Sequence, residues 1–157
     1  MTAITVTTQA ELDAALTDPD FTYSTHEIEI RSPQGVWIEV RDERGLDVHA
    51  CDASTVGAYD SSTVTAYDSS TVTARNSSTV DAWDSSTVRA YASSTVDAWD
   101  SSTVIACDAS TVDAYDASTV RAWDSSTVHA TPLVAVRKHS SRATIIGGVV
   151  IDHTKEN

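Results

Sequence analysis

Aspartate recurs at a fixed spacing over half of this chain, and carboxylates in a regular row could bind a cation. From Ala50 to His129 the sequence consists of ten eight-residue units, and Asp occupies the third position in eight of them. Calcium-binding Asp repeats also need Gly-rich turns, whereas Gly57 is the one glycine in these units. We therefore assign the Asp row to turns, where Asp side chains accept hydrogen bonds from backbone amides, and we predict no metal site.

No other pattern in the sequence points to catalysis. Serine is abundant, but the chain has no Gly-x-Ser-x-Gly motif and no phosphate-binding Gly loop. The histidines have no metal-ligand spacing with cysteines or carboxylates; they are His26, His49, His129, His139 and His153. The sequence therefore predicts no catalytic residues, no cofactor and no enzymatic activity.

The charge of the chain limits its partners. The formal net charge is −13 and the pI is about 4.4, which opposes binding to the phosphates of nucleic acid and to anionic membranes. It suits a soluble protein, a cation binder or a mimic of nucleic acid. Residues 130–157, with two acidic and four basic side chains, form the only basic segment.

Location and redox state follow from a few local features. The first residues lack the basic segment and apolar run of a signal peptide, and the apolar run 145–151 is too short to span a bilayer. Cys51 and Cys107 occupy the same position in units that are seven apart, so we expect them to be distant and unbonded. These features predict a cytoplasmic protein without disulfides or membrane segments.

The ten units themselves define the architecture. Typical units read AWDSSTVR and AYDASTVR, and no insertion interrupts the series. A short fixed period is the signature of a solenoid. Thr, Val and aromatic residues favour strands, and a period of two places Ser, Val and Ala inside and Thr, the variable residue and the aromatic residue outside. We predict an all-β protein, a single β-solenoid (β-helix) with one strand and one turn per unit.

The coil length follows from the variable eighth position of the unit. Asp recurs there every sixteen residues, at Asp81, Asp97 and Asp113, which favours two units per coil. Three units per coil is the alternative. It would set Arg89 beside Asp113 and relieve the repulsion in the Asp column, but it needs a wider core than Ser, Val and Ala fill.

Two units per coil give the solenoid two different faces. Large exposed aromatic surfaces usually mark contacts, although stacking within the ladder would also account for them. The predicted interaction face carries Tyr67, Asp81, Trp83, Asp97, Trp99, Asp113 and Tyr115. The opposite face carries Arg75, Arg89, Tyr91, Arg121 and Trp123.

The units resemble the central octapeptide repeat of bacterial ice-nucleation proteins. Both have Ala at the first position and Ser-Thr at the fifth and sixth, and the repeats of that family form sixteen-residue coils. The resemblance covers residues 50–129. It implies a β-solenoid and side-by-side assembly in which basic C-terminal coils take part. The basic residues near that end of this chain are Arg121, Arg137, Lys138 and Arg142.

The same resemblance implies a candidate water-ordering motif. In ice-nucleation proteins a Thr-x-Thr motif repeats in register on one face and is held to order water. Here it matches Thr63 with Thr65 and Thr71 with Thr73. These two pairs lie in adjacent units and therefore on opposite faces of a sixteen-residue coil, and other residues replace the second Thr in the remaining units.

The segments that flank the repeats differ from them in composition. Residues 1–49 are predicted to form a small α/β cap, in which Thr8 and Glu11 make a capping-box pattern for a helix. Leu12 and Leu16 share one face of that helix, and strands are expected in 21–30 and 36–42. Residues 50–129 form the repeat region. Residues 130–157 add two strands, near 133–139 and 143–151, that either close the solenoid or mediate association.

Three functions fit these features. The first is a non-catalytic structural protein, a homo-oligomer that self-associates through flat faces carrying Thr, aromatic and charged ladders. The second is a weak ice-binding or ice-nucleation-like protein, with ice as its partner. The third is an acidic binding module or DNA mimic, which the net charge of −13 suggests.

Overall fold

A computed structural model describes residues 1–41 and 44–155. Within them the chain forms one helix, α1, and fifteen strands, all of which belong to a single sheet. The elements that flank the repeats are β1 (Thr2–Val6), α1 (Gln9–Thr17), β2 (His26–Ile30), β3 (Trp37–Arg41), β14 (Thr127–Lys138) and β15 (Thr144–Asp152). The strands of the repeats are β4 (Val48–Ala50), β5 (Thr55–Tyr59), β6 (Thr63–Ala66), β7 (Thr71–Ala74), β8 (Thr79–Ala82), β9 (Thr87–Ala90), β10 (Thr95–Ala98), β11 (Thr103–Ala106), β12 (Thr111–Ala114) and β13 (Thr119–Ala122).

The sheet is parallel and winds around one axis as a β-solenoid. The strands from β4 to β12 pair in register with the strand two further along the chain, so that Thr95 lies between Thr79 and Thr111, and β13 pairs with the second half of β14. Even-numbered strands from β2 to β12 form one wall, and odd-numbered strands from β3 to β13 form the other. One coil therefore contains two units and sixteen residues, as predicted, and the three-unit alternative is wrong.

Small side chains fill the space between the two walls. The fifth-position Ser, the seventh-position Val and the first-position Ala of the units are buried along the whole array, as the period of two predicts. Strands run about 4.8 Å apart, so each of these residues packs against its own copy one coil away. The thin interior of a two-unit coil is one that such small residues can fill.

The turns depend on residues that tolerate a left-handed backbone. The third-position residue of every unit has a positive φ, from 48° at Ala92 to 58° at Asp52 and Asp60. Asp and Asn adopt this conformation more readily than other non-glycine residues. The Asp carboxylates also accept backbone hydrogen bonds, as predicted, but the donor is the Asp N–H one coil earlier. Asp52 N–H, for example, donates to Asp68 Oδ2 at 3.2 Å.

The N-terminal segment covers one end of the solenoid. Thr8 caps α1, since its Oγ1 accepts a hydrogen bond from the Glu11 N–H at 3.3 Å, and Leu12 is buried under the helix. The Gln9 side chain accepts from the Glu39 N–H at 2.7 Å and donates to the Glu39 carbonyl at 3.2 Å. The side-chain amide of Gln9 thereby hydrogen-bonds to the outer edge of β3, which would otherwise be open.

Several flanking strands differ from the sequence prediction. Strand β1 was not predicted, β2 begins only at His26, and β3 ends at Arg41, since Asp42 lies outside the described residues. Strand β14 starts within the last repeat unit and continues past Pro132, because Pro132 and Leu133 replace the usual Asp-Ser turn residues.

The C-terminal coil is more exposed than the rest. Strand β15 pairs with both halves of β14 and, among the described strands, with no other. The large apolar side chains exposed at this end are Leu133, Ile146, Val149, Val150 and Ile151.

Among the described residues, no helix has the length and apolar character needed to cross a membrane.

Candidate functional site

The acidic face consists of the outward side chains of β6, β8, β10 and β12 and of the aromatic residues that follow them. Asp81, Asp97 and Asp113 stand directly beside one another, because their strands pair in register. Burial raises the pKa of Asp81. Burial, together with the charges of Asp81 and Asp113, raises the pKa of Asp97. His129 continues the column, and its Nδ1 lies 2.7 Å from Asp113 Oδ1.

Stacked rings run beside this carboxylate column. The rings of Trp83 and Trp99 are 5.2 Å apart and nearly parallel, and those of Trp99 and Tyr115 are 4.0 Å apart. Tyr67 stacks on His49 at 5.7 Å, and burial raises the pKa of its hydroxyl. Every residue of the predicted interaction face thus lies on one wall, where a column of aromatic rings runs next to a column of carboxylates.

The arginine face consists of the outward side chains of the opposite wall. Its central column runs in register through Arg89, Ile105, Arg121 and Arg137. None of these three guanidinium groups lies within ion-pair distance of a carboxylate in the described residues. Like charges directly opposite each other destabilise a sheet, so Arg121 and Arg137 leave an unbalanced positive column on the surface.

A second ladder and a shallow groove border the arginine column. Arg75 lies over the Tyr91 ring, with its guanidinium carbon 4.9 Å from the centroid. Trp123 stacks on His139 at 4.2 Å, and His139 stacks on His153 at 4.9 Å. An open groove of about 460 Å³ adjoins the Trp123–His139–His153 stack, and it is lined by Ile105, Arg121, Trp123, Arg137, His139, Ile151 and His153.

The candidate water-ordering threonines separate as the sequence predicts. Thr63 and Thr65 lie on β6 of the acidic face, and Thr71 and Thr73 lie on β7 of the arginine face. Thr73 is only 7% exposed, so its hydroxyl has little contact with bulk water. The sixth-position threonines form a longer row, since Thr63 pairs with Thr79 and the register continues to Thr127.

The basic residues near the C-terminus occupy different surfaces. Arg121 and Arg137 belong to the arginine face, whereas Arg142 lies at an edge, where its Nη2 is 3.7 Å from Asp124 Oδ1.

Both cysteines, Cys51 and Cys107, are free. Burial raises the pKa of the Cys51 and Cys107 thiols, which keeps them protonated and poorly nucleophilic.

One cluster was missed by the sequence analysis. The side chains of Glu27, Asp47 and His49 converge on the wall of the acidic face, near the N-terminal cap, and their ligand atoms all lie within 4.8 Å of one another. The chain distance from Glu27 to Asp47 differs from the regular sixteen, so no repeat aligns them. The only sequence signal is the Asp-x-His spacing at 47–49, which places both side chains on one side of a strand.

Comparison of the chain with protein-family models, with curated protein sequences and with solved structures finds no match. The structure supports a parallel β-solenoid of sixteen-residue coils with Thr at the start of each strand from β5 to β13. The resemblance to ice-nucleation repeats therefore rests on the octapeptide and coil length alone.

Proposed function

We propose that this protein is a non-catalytic structural solenoid that forms homo-oligomers by placing the acidic face of one copy against the arginine face of the next. The observation that carries the proposal is the unbalanced charge on each face. Asp81, Asp97 and Asp113 form one column of like charge, and Arg121 beside Arg137 forms another. Contact between the two faces would relieve both repulsions.

The geometry of the two faces also fits such a contact. Neighbouring coils lie about 4.8 Å apart on both faces, so the Asp carboxylates can align with the guanidinium groups of Arg121 and Arg137 on adjacent coils. The groove beside Arg121 and Trp123 has room for aromatic side chains of the acidic face. Because the two surfaces differ, the contact is heterologous and propagates into open assemblies.

Reversal of one arginine charge tests the proposal. We expect Arg121→Glu to weaken self-association, because it places a carboxylate opposite the Asp column. Arg142→Glu is the matched control, since it makes the same charge change at an edge, away from both faces. Molar mass should be measured by light scattering after size exclusion. Equal assembly by Arg121→Glu and the parent chain would exclude this contact and direct attention to the open edge of β15.

The continuous Thr row favours ice binding as the second candidate. Thr63, Thr79, Thr95, Thr111 and Thr127 lie in register on the acidic face. Regularly spaced hydroxyl and methyl groups can order water, but the second Thr of the motif is replaced by Asp81, Asp97 and Asp113 beside this row. Droplet-freezing and ice-shaping assays test this function. No effect at high protein concentration would exclude it.

A further inference from the structure

The cluster formed by Glu27, Asp47 and His49 has the composition of a metal site. His49 Nε2 lies 3.3 Å from Asp47 Oδ1 and 3.7 Å from Glu27 Oε2. Two carboxylate oxygens and an imidazole nitrogen are ligands that first-row divalent metals accept. The three side chains are partly buried, with exposures of 26% for Glu27, 42% for Asp47 and 21% for His49.

The sheet brings these residues together. Ile28 pairs with Val48, and the Ile28 N–H donates to the Asp47 carbonyl at 2.9 Å, so Glu27 and Asp47 are neighbours on adjacent chain segments. Two carboxylates in this arrangement repel each other, and a bound cation would relieve that repulsion. The His49 ring is held in place by its stack on Tyr67, at 5.7 Å and 23°.

The distances suit shared coordination better than direct hydrogen bonding. A charge-assisted N–H···O bond is about 2.7–2.9 Å long, and both contacts of His49 Nε2 exceed this. Two ligand atoms that each lie about 2.0–2.1 Å from a tetrahedral metal are separated by roughly 3.4 Å. The observed 3.3 and 3.7 Å lie close to that separation.

We propose that Glu27, Asp47 and His49 bind one divalent first-row transition metal ion, with Zn²⁺ as the best fit to one nitrogen and two oxygens. The imidazole ligand and the small ligand number disfavour Ca²⁺ and Mg²⁺, which prefer oxygen-rich sites. The ion would tie β2 to β4, where the irregular N-terminal segment joins the regular coils. The site does not depend on the proposed self-association.

Titration of the full-length protein with ZnCl₂ tests the site by calorimetry and by thermal unfolding. We expect one saturable Zn²⁺ equivalent that raises the unfolding temperature. Glu27→Gln and His49→Gln should each weaken binding at least about tenfold. His129→Gln is the matched control, because His129 also faces a carboxylate, Asp113, but belongs to a different cluster.

Substitution with Co²⁺ gives a second readout that does not depend on stability. A Co²⁺ ion at a four-coordinate site should give visible absorption that His49→Gln abolishes and His129→Gln retains. Two results would overturn the proposal. One is the absence of saturable binding at millimolar Zn²⁺, and the other is binding that His49→Gln and Glu27→Gln leave unchanged while both variants keep the far-ultraviolet circular dichroism of the parent.

Discussion

At the scale of single residues, the repeat tolerates polar groups in unusual places. A row of serine hydroxyls is buried between the walls, and in the described residues seven of them have no hydrogen-bond partner: Ser54, Ser70, Ser78, Ser86, Ser94, Ser102 and Ser110. Ser118 and Ser126 differ, since each donates at 2.7 Å to the carbonyl three residues earlier. A buried hydroxyl without a partner costs about 1–3 kcal/mol.

This difference predicts opposite effects of removing two equivalent hydroxyls. Ser70→Ala should raise the free energy of unfolding by about 1 kcal/mol, because it removes an unpaired buried group. Ser118→Ala should lower it by about 1 kcal/mol, because it removes a hydrogen bond. Urea unfolding of both variants checks this. Equal losses in the two would mean that the Ser70 hydroxyl is paired in solution as that of Ser118 is.

The carboxylate column predicts a dependence of stability on pH. Because burial and neighbouring charges raise the pKa of Asp97 in the folded state, the folded protein binds the proton more readily than the unfolded chain does. The contribution of this group to stability is therefore present at low pH and is lost as the pH rises through the folded-state pKa.

Asp97→Asn should remove this decrease in stability at rising pH. The variant should be more stable than the parent at pH 7, by about 0.5 kcal/mol, and the gain should disappear below about pH 4. Thermal unfolding across this pH range measures the difference. A variant that is less stable than the parent at pH 7 would show that the Asp97 charge is favourable in the folded state. Asp97→Asn should nevertheless weaken self-association, since it removes charge from the acidic face.

At the scale of elements, the regular coils follow from the octapeptide, whereas the ends follow from particular residues. Gly147 and Gly148, at φ of 82° and 73°, bend β15 between its two halves. A Cβ at Gly147 would overlap the Ala130 carbonyl oxygen. Gly35 has a similar φ of 85°, but a Cβ there would meet nothing within 4 Å.

Gly35 and Gly147 form a matched pair for substitution by alanine. Gly35→Ala should cost only the backbone strain of a positive φ, about 1 kcal/mol. Gly147→Ala should cost more and should loosen the last coil, so that the β15 amides exchange with solvent at least about tenfold faster than in the parent. Hydrogen–deuterium exchange measures the exchange rates of the β15 amides in both variants. Similar protection of β15 in both variants would argue against the close approach to Ala130.

Much of this element-level structure could be predicted from the sequence. Side-chain alternation identified the repeat strands and their buried Ser, Val and Ala, and the Thr8–Glu11 spacing identified α1. Strand β1 was missed because no repeat covers it and its pairing with β2 depends on residues 24 positions away. The cluster of Glu27, Asp47 and His49 was missed for the same reason, since strand register, not a local motif, brings these side chains together.

At the scale of the whole molecule, the coil length decides which residues share a face. Deletion of residues 81–96 removes one full coil and should leave the acidic and arginine faces intact. Deletion of residues 97–104 removes half a coil and should exchange the walls of all downstream strands, so that Asp113 aligns with Arg89 and Arg121 joins the column of Asp81. Both deletion variants should retain β-sheet circular dichroism, because interior residues are the same in every unit.

Only the half-coil deletion should abolish self-association, as judged by light scattering, since it mixes acidic and basic residues on both faces. If it assembled as the full-coil deletion does, the segregation of charge between two faces would be irrelevant to assembly. The full-coil deletion thus serves as the control for loss of length.

The most direct measurement is the molar mass of mixed charge-reversed variants at low salt. Asp97→Arg and Arg121→Glu should each remain near the monomer mass of 16.7 kDa, because each brings like charges into the contact. In an equimolar mixture, the acidic face of the first variant carries Arg and the arginine face of the second carries Glu. The mixture should therefore form larger species that dissociate at high salt. A mixture that stays monomeric while the parent chain assembles would contradict contact between these faces, and so would a parent chain that is monomeric at every salt concentration.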